Sequence, residues 1–112
     1  MNLKREQLAW AAGFFDGEGS IHSANSKLKK TYPNVGITQV GAHGRELLER
    51  FQNAVGGIGK IYGPYKKTIA GNPRYQWETW GFEKSQAVIA MLWEFLGPVK
   101  RAKAKKILLA SR

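Results

Sequence analysis

Two acidic side chains stand close together where an apolar stretch near the start of the chain ends. Asp16 and Glu18 are separated by Gly17, and the preceding residues 8–15 carry apolar side chains at helical spacing. Carboxylates in the last turn of a helix oppose its dipole, so acids in that position need a local explanation. Carboxylate oxygens are ligands that hard divalent cations prefer, and a metal ion is the simplest such explanation. The pair therefore predicts a metal site at the end of this helix.

Other catalytic chemistries find little support in the sequence. The chain contains no cysteine, which excludes a disulfide framework and a thiolate zinc site. The two histidines, His22 and His43, are too isolated in sequence to indicate a zinc site. No Ser-His-Asp arrangement and no phosphate-binding loop pattern is present either. The two carboxylates remain the strongest chemical signal.

The charge of the chain indicates an anionic partner. Its 112 residues predict one domain, residues 1–112, with 18 basic and 8 acidic side chains and a net charge of +10. A pI near 10.1 in an aromatic-rich chain favours nucleic acid, and a basic protein without a specific anionic partner is the alternative. No apolar run approaches the ~20 residues of a membrane helix, and no signal-peptide pattern is present. We therefore expect no membrane partner, and we expect an intracellular location with access to DNA that the sequence does not specify further.

The elements that must position the two acids follow from hydrophobic periodicity and turn signals. We predict helices over residues 4–15, 45–54, 84–96 and 100–110, and strands over residues 20–28, 34–40, 59–65 and 74–82. Two hairpins that alternate with helices predict an α+β fold, in which an antiparallel sheet carries helices on one face and leaves the other open. On the first helix, Ala9, Gly13 and either Asp16 or Gly17 form a ridge of small residues that would let another helix approach closely.

The open face of the predicted sheet is polar and positively charged. Strand alternation turns Ile21, Val35, Ile61 and Tyr65 toward the core. The side chains expected on the open face or its hairpin loop, and therefore expected to bind DNA, are His22, Ser26, Asn34, Thr38, Lys60, Tyr62, Lys66, Lys67, Arg74 and Gln76. Such side chains can contact base edges in the major groove, which admits a β-ribbon. The alternative is an ordinary solvated sheet face.

The opening stretch resembles the LAGLIDADG homing endonuclease motif. Nine residues, Ala11-Ala12-Gly13-Phe14-Phe15-Asp16-Gly17-Glu18-Gly19, match it position by position, and Ser20-Ile21 continue in the usual way. The resemblance implies an αββαββα(α) fold with a saddle-shaped antiparallel sheet. Because only one copy of the motif is present, it also implies a homodimer that cleaves a long pseudo-palindromic DNA target.

The same resemblance implies a role for each matching residue. The motif helix is expected to pack on its two-fold mate through Ala9, Ala12, Gly13 and Asp16. Glu18 stands where the family usually has a catalytic aspartate, and the Gly17 carbonyl matches a position that faces the metal, expected to be Mg²⁺ or another divalent cation. Gln39 falls where the family often orders water near the scissile phosphate, and Lys100 where it often has a pocket lysine. His43 or Arg45 is a further candidate for a basic position.

Three functions remain open from the sequence. The first is a sequence-specific, metal-dependent endonuclease acting on double-stranded DNA. The second is a non-cleaving protein of the same fold, either an intron maturase that binds RNA or a transcription regulator. The third is a basic α+β domain that binds a protein or ribosomal RNA. Intact Glu18, together with Gln39 and Lys100, favours the first. The sequence predicts neither the target site nor the host.

Overall fold

The predicted order of helices and strands is confirmed in the computed structural model of the chain, which describes residues 3–25, 31–66 and 71–111. Within these ranges the fold is α+β, with four helices and an open four-stranded antiparallel sheet. A short 3-10 helix, Trp93–Phe95, precedes the last helix. The other elements are α1 (Leu3–Glu18), β1 (Gly19–Asn25), β2 (Thr31–Val40), α2 (Gly44–Ala54), β3 (Lys60–Lys66), β4 (Pro73–Trp80), α3 (Phe82–Leu92) and α4 (Pro98–Ala110).

The sheet has the strand order β1-β2-β4-β3, so the two hairpins join through their inner strands. Every neighbouring pair is antiparallel, with Ile21 opposite Val35, and with Trp77 opposite both Ile37 and Ile61. Because cross-strand partners share a face, these apolar residues cover one side of the sheet. The helices pack on that side, which leaves the opposite side open.

Trp77 lies at the centre of the core beneath the helices. Its side chain is fully buried, and the Phe51 ring of α2 meets it edge-on with 4.7 Å between ring centroids. Phe15 of α1 also stacks on Phe51, with 6.2 Å between ring centroids. The indole Nε1 donates a 2.9 Å hydrogen bond to the Ile58 carbonyl, so the buried polar atom has a partner. This cluster holds α1 and α2 on the sheet.

A buried polar cluster fixes α3 to the two inner strands. The hydroxyls of Thr79 and Ser85 lie 2.8 Å apart, and the Ser85 hydroxyl also donates to the Pro33 carbonyl at 3.2 Å. Both side chains are at most 1% exposed. Because a buried hydroxyl without a partner is costly, these bonds specify where α3 lies against β2 and β4.

The expected position of Tyr65 on the core side is wrong, because β3 contains a bulge. The register with β4 shifts between Tyr62 and Tyr65, and Tyr65 pairs with Arg74 on the open face. Gly63 lies within the bulge at φ +118°, where a Cβ atom would come within 2.6 Å of the Arg74 carbonyl oxygen. An extra residue in one strand reverses the facing of every later side chain, which simple alternation does not anticipate.

Several element ends also differ from the sequence predictions. The first helix continues to Glu18 instead of ending at residue 15, so both acids lie in its last turn. The third helix ends at Leu92, and the 3-10 helix replaces its expected last turn. Arg101 stabilises that replacement, since its guanidinium donates to the carbonyls of Trp93 and Glu94 at 2.9 and 3.0 Å. None of the helices in the described ranges is long and apolar enough to cross a membrane.

Candidate active site and nucleic-acid interface

Asp16 is bound to the beginning of α4. The Gly97 amide donates to both carboxylate oxygens of Asp16, at 3.0 Å to Oδ2 and 3.2 Å to Oδ1. Gly97 is the N-cap residue of α4 and Pro98 follows it. The carboxylate thus meets the positive end of one helix dipole while it stands at the negative end of another. This contact explains why an acid is tolerated in the last turn of α1.

Glu18 has a different environment from Asp16. Its side chain is exposed, and no group in the described parts of the chain bonds to its carboxylate. Gly19 then turns the chain into β1, and a Cβ atom there would overlap the buried Phe15 ring. The packing of Phe15 therefore fixes where α1 ends and where the Glu18 carboxylate emerges.

Gln39 lies close to this helix end along the neighbouring strand. Gly19 pairs with Ile37 of β2, and Gln39 follows two residues later on the same side of the strand, about 7 Å farther on. The Gln39 side chain is half-buried and its Nε2 donates to the Thr38 carbonyl at 2.9 Å.

Lys100 is half-buried in the first turn of α4, three residues after Gly97. The bond between Asp16 and Gly97 ties that turn to the end of α1. The other two candidates for a basic position, His43 and Arg45, are exposed around the start of α2. His43 Nδ1 lies 3.5 Å from Oε2 of the Glu46 carboxylate.

The small-residue ridge of α1 is only partly the set expected from the sequence. Ala9, Gly13 and Gly17 are exposed at four-residue spacing, whereas Ala12 is fully buried in the core of its own protomer. Asp16 is half-buried and engaged with α4. We define Ala9, Gly13 and Gly17 as the α1 ridge, because these three leave the helix backbone open to the outside.

The open sheet face carries most of the side chains expected to contact DNA. Two of the expected residues, Ser26 and Lys67, lie outside the described residues, and Lys66 is described only as the backbone partner of Pro73. Alternation and strand pairing place on this face Ser20, His22, Ala24, Tyr32, Asn34, Gly36, Thr38, Val40, Lys60, Tyr62, Tyr65, Arg74, Gln76, Glu78 and Trp80. Most of these side chains are polar or aromatic, and the chain as a whole carries a net charge of +10.

Asn34 lies on this face but is not accessible, which corrects the expectation that it is free to contact DNA. It is only 6% exposed, and its Nδ2 donates to the Thr79 carbonyl at 2.6 Å. Trp80 pairs opposite it, and the Trp80 and Tyr32 rings meet with centroids 5.7 Å apart. Large aromatic neighbours on the same face account for its burial, and Trp80 itself remains 47% exposed.

The structure adds three features of this face that the sequence analysis did not single out. The Arg74 guanidinium lies over the Tyr65 ring at 4.8 Å, and its Nε has no hydrogen-bond partner in the described residues. The Ser20 hydroxyl lies 3.2 Å from His22 Nε2. Gln76 Nε2 donates to Glu78 Oε2 at 3.0 Å.

The sequence did contain a signal for the position of Tyr65. Pro64 follows Gly63 inside β3, and glycine and proline within a strand often mark a bulge.

Comparison with known proteins gives one family and several similar structures. Residues 11–106 match the family model of the LAGLIDADG endonucleases, and no curated protein matches the chain. The homing endonuclease I-CvuI, bound to its target with 2 mM Ca, is similar at 25% identity and a TM-score of 0.75. I-CvuI bound to the I-CreI target with 2 mM Mg, in which the DNA is not cleaved, is similar at 24% identity and a TM-score of 0.75. Both matches cover 96% of this chain and 66% of I-CvuI.

A second solved protein shares the fold. The LAGLIDADG meganuclease I-AabMI, bound to uncleaved DNA, matches 90% of this chain and 34% of its own at 24% identity and a TM-score of 0.70. The present chain thus spans 66% or less of the length of these proteins. The family model covers the second half of α1, all four strands and most of α4. The chain belongs to the LAGLIDADG endonuclease family.

Proposed function

We propose that two copies of this chain form a sequence-specific endonuclease that hydrolyses double-stranded DNA with a divalent cation. The observation that carries the proposal is the Glu18 carboxylate, which is exposed at the end of the helix that carries the α1 ridge and bonds to none of the described residues. If the ridges of two copies pack together, the two Glu18 side chains approach a common axis. Family membership supports the reaction type, and the similar structures named above are DNA complexes.

The two glycines of the α1 ridge support association of two copies. Glycine in the middle of a helix costs about 0.5–1 kcal/mol relative to alanine. A Cβ atom at Gly13 or Gly17 would meet no atom within 4 Å in the described protomer. The protomer therefore gives no reason for glycine at either position, whereas a closely approaching second helix does. A two-fold dimer would contact a target with two related halves.

The donor atoms at the end of α1 fit a hard cation. Glu18 offers a carboxylate and Gly17 a backbone carbonyl, which are the oxygen ligands that Mg²⁺ prefers. One protomer is not sufficient, because its described residues contain no group of three or more His, Asp or Glu able to hold a metal. A dimer would supply two Glu18 carboxylates, and the DNA backbone would supply phosphate oxygens. When bound, the cation would polarise the phosphate and make water more acidic.

Two side chains of the protein, Gln39 and Lys100, would act on the water and the phosphate near the cation. Gln39 has its Nε2 engaged with the Thr38 carbonyl, so its Oε1 would accept a hydrogen bond from a water near the phosphate. As a neutral amide, Gln39 would position that water without taking its proton. The Lys100 ammonium would offset negative charge that develops on the phosphate.

The open sheet face would lie in the major groove. The eight residues of β4 extend roughly 26 Å, which corresponds to about 8 base pairs in each half of the target. The accessible polar side chains expected to contact bases or phosphates there are His22, Thr38, Lys60, Tyr62, Arg74 and Gln76. The net charge of +10 would add an attraction for phosphates that does not depend on sequence.

Cleavage of a library of double-stranded targets tests the proposal. Wild type, Glu18→Gln and Glu6→Gln are incubated with the library and Mg²⁺, and Glu6 serves as the control because it is an exposed acid on the same helix. We expect cleavage by wild type and Glu6→Gln, and binding without cleavage by Glu18→Gln. Equal cleavage by all three proteins would exclude Glu18 as a catalytic residue. Inactivity of all three with tight RNA binding would instead support a maturase.

Solution size and chelation test the two remaining parts of the proposal. Sedimentation should show association of two copies, at least on DNA, and a protein that stays monomeric on DNA would refute the two-fold site.

Removal of divalent cations with a chelator should weaken DNA binding, because two uncompensated carboxylates would face the phosphates. Affinity that is the same with chelator and with Mg²⁺ would remove the support for a metal between the Glu18 side chains.

A further inference from the structure

The open sheet face contains one carboxylate among its described residues, and that carboxylate is Glu78. It lies on β4 between Gln76 and Trp80, opposite Lys60 on β3 and Gly36 on β2. A negative charge on a surface that faces DNA is repelled by the phosphates. The chain carries 18 basic and only 8 acidic residues, so an acid in this position needs an explanation.

Glu78 is held in place by a hydrogen bond and not by an ion pair with a described base. Gln76 Nε2 donates to Glu78 Oε2 at 3.0 Å, which fixes the carboxylate while leaving Oε1 available as an acceptor. No ion pair joins Glu78 to a base whose side chain the structure describes. Gly36 has no side chain, so β2 presents only backbone on that side of the carboxylate. The result is a half-buried group of acceptor oxygens that opens onto the sheet surface.

The chemistry of base edges identifies what such a group can bind. In the major groove, guanine presents only acceptors, and thymine presents an acceptor and a methyl group. Cytosine N4 and adenine N6 are the donors exposed there. A carboxylate accepts hydrogen bonds and cannot donate them. It would therefore bond an amino group strongly and would repel the oxygens of guanine and thymine.

We propose that Glu78, positioned by Gln76, is a specificity-determining residue that requires the exocyclic amino group of a cytosine or adenine in each half of the DNA target. This inference rests on the proposed DNA-binding function and assigns one base-contacting residue within it. Glu78 differs from the basic residues of the face because its electrostatic contribution to non-specific binding is unfavourable. Its effect on affinity and its effect on specificity consequently have opposite signs.

Glu78→Gln separates these two effects, because it keeps the shape of the side chain and removes the charge. Wild type, Glu78→Gln and Glu83→Gln are incubated with a duplex library in Ca²⁺, and the bound duplexes are sequenced. Glu83 is the matched control, since it is an exposed acid in the first turn of α3. Melting temperatures confirm that the variants are folded.

We expect wild type to prefer cytosine or adenine at one position of each half-site by roughly tenfold or more. Glu78→Gln should lose that preference while its affinity for random-sequence DNA rises. Glu83→Gln should keep the preference at every position. If Glu78→Gln retains all wild-type preferences, or loses affinity equally for all sequences, the inference is wrong while the proposed function stands. If wild type shows no sequence preference, the proposed function itself fails.

Modified bases identify the amino group directly. At the position found by sequencing, 2-pyrimidinone replaces cytosine, or purine replaces adenine, and each analogue lacks only the exocyclic amine. Wild type should bind the analogue roughly tenfold more weakly, whereas Glu78→Gln should bind the natural and modified duplexes alike. Equal losses in wild type and Glu78→Gln would assign the amine to another side chain and overturn the inference.

Discussion

The Gly97 N–H donates a bifurcated hydrogen bond to the Asp16 carboxylate, at 3.0 Å to Oδ2 and 3.2 Å to Oδ1, and thereby joins the last turn of α1 to the first turn of α4. Glu18 follows Asp16 by two residues, and Lys100 follows Gly97 by three. Glu18, proposed to hold the cation, and Lys100, proposed to act on the phosphate, therefore belong to the two elements that Asp16 connects. We infer that Asp16 is a positioning residue within its own protomer.

Asp16→Ala should weaken both stability and catalysis. A hydrogen bond to a charged group contributes about 1.5–3 kcal/mol, and we expect a loss of about 1–3 kcal/mol in the free energy of unfolding by urea titration. Single-turnover cleavage should fall more than DNA affinity does, because the first turn of α4 that carries Lys100 loses its attachment. Asp16→Asn keeps an acceptor oxygen and should restore part of both losses. A rate and stability equal to wild type for Asp16→Ala would contradict this role.

Gly13 gives a test of the α1 ridge that does not depend on activity. Gly13→Ala should raise the unfolding free energy of the isolated protomer by about 0.5–1 kcal/mol, because the helix gains propensity and the methyl group would meet no atom of the described residues within 4 Å. Gly13→Leu should abolish association of two copies, measured by sedimentation across protein concentrations.

Ala102→Leu is the control for Gly13→Leu, since Ala102 is an exposed residue of α4. It should leave association unchanged. Undiminished association of Gly13→Leu would show that another surface joins the two copies.

The sequence predicted the order of the elements and most of the open face for simple physical reasons. Alternation along β4 is regular, and it correctly placed Arg74 and Gln76 on the open face, whereas Trp77 and Thr79 between and beyond them are buried. Local patterns do not register tertiary contacts. The link between Asp16 and Gly97 spans 81 residues of sequence, and it allows α1 to continue past the point where the acids alone would end it.

The burial of Asn34 and the position of Tyr65 were also beyond local patterns. Asn34 is covered because β2 pairs with β4, which places the large Trp80 side chain opposite it. Tyr65 changes face because β3 contains one additional residue relative to β4. Alternation assigns faces only when the partner strand is known and no residue is inserted.

Ser85→Ala should destabilise the fold without affecting DNA binding. The change removes the donor to the Pro33 carbonyl and the partner of the Thr79 hydroxyl, both on the helix side of the sheet. An unsatisfied buried polar group costs about 1–3 kcal/mol, and we expect a loss of that size in urea titration. Ser23→Ala, at an exposed position of β1, is the control and should have little effect. DNA affinity is measured at a temperature at which Ser85→Ala is still folded. A loss of affinity under that condition would contradict the separation of the two faces of the sheet.

The ion pair between Arg5 and Glu94 predicts a small acid-sensitive contribution to stability. The Arg5 guanidinium donates to both carboxylate oxygens of Glu94, at 2.7 and 2.9 Å, and the hydrogen bond from Arg5 lowers the pKa of Glu94. A carboxylate with a lowered pKa in the folded state stabilises above its unfolded pKa of about 4.3 and loses that stabilisation as the pH falls through the folded value. Both side chains are more than half exposed, so salt should screen the effect.

Melting temperatures of wild type and Glu94→Gln, taken from pH 7 to pH 2, measure this contribution. Wild type should melt slightly higher than Glu94→Gln near neutral pH at low ionic strength. The difference should disappear as the pH falls through the lowered pKa of Glu94, and it should shrink at 1 M salt at every pH. Glu83→Gln removes an exposed acid for which no ion pair is found in the described residues. It should show no such difference. A gap between wild type and Glu94→Gln that persists at the lowest pH would mean that the contact stabilises through packing of Arg5 on the Phe95 ring, 4.9 Å away, instead of through charge.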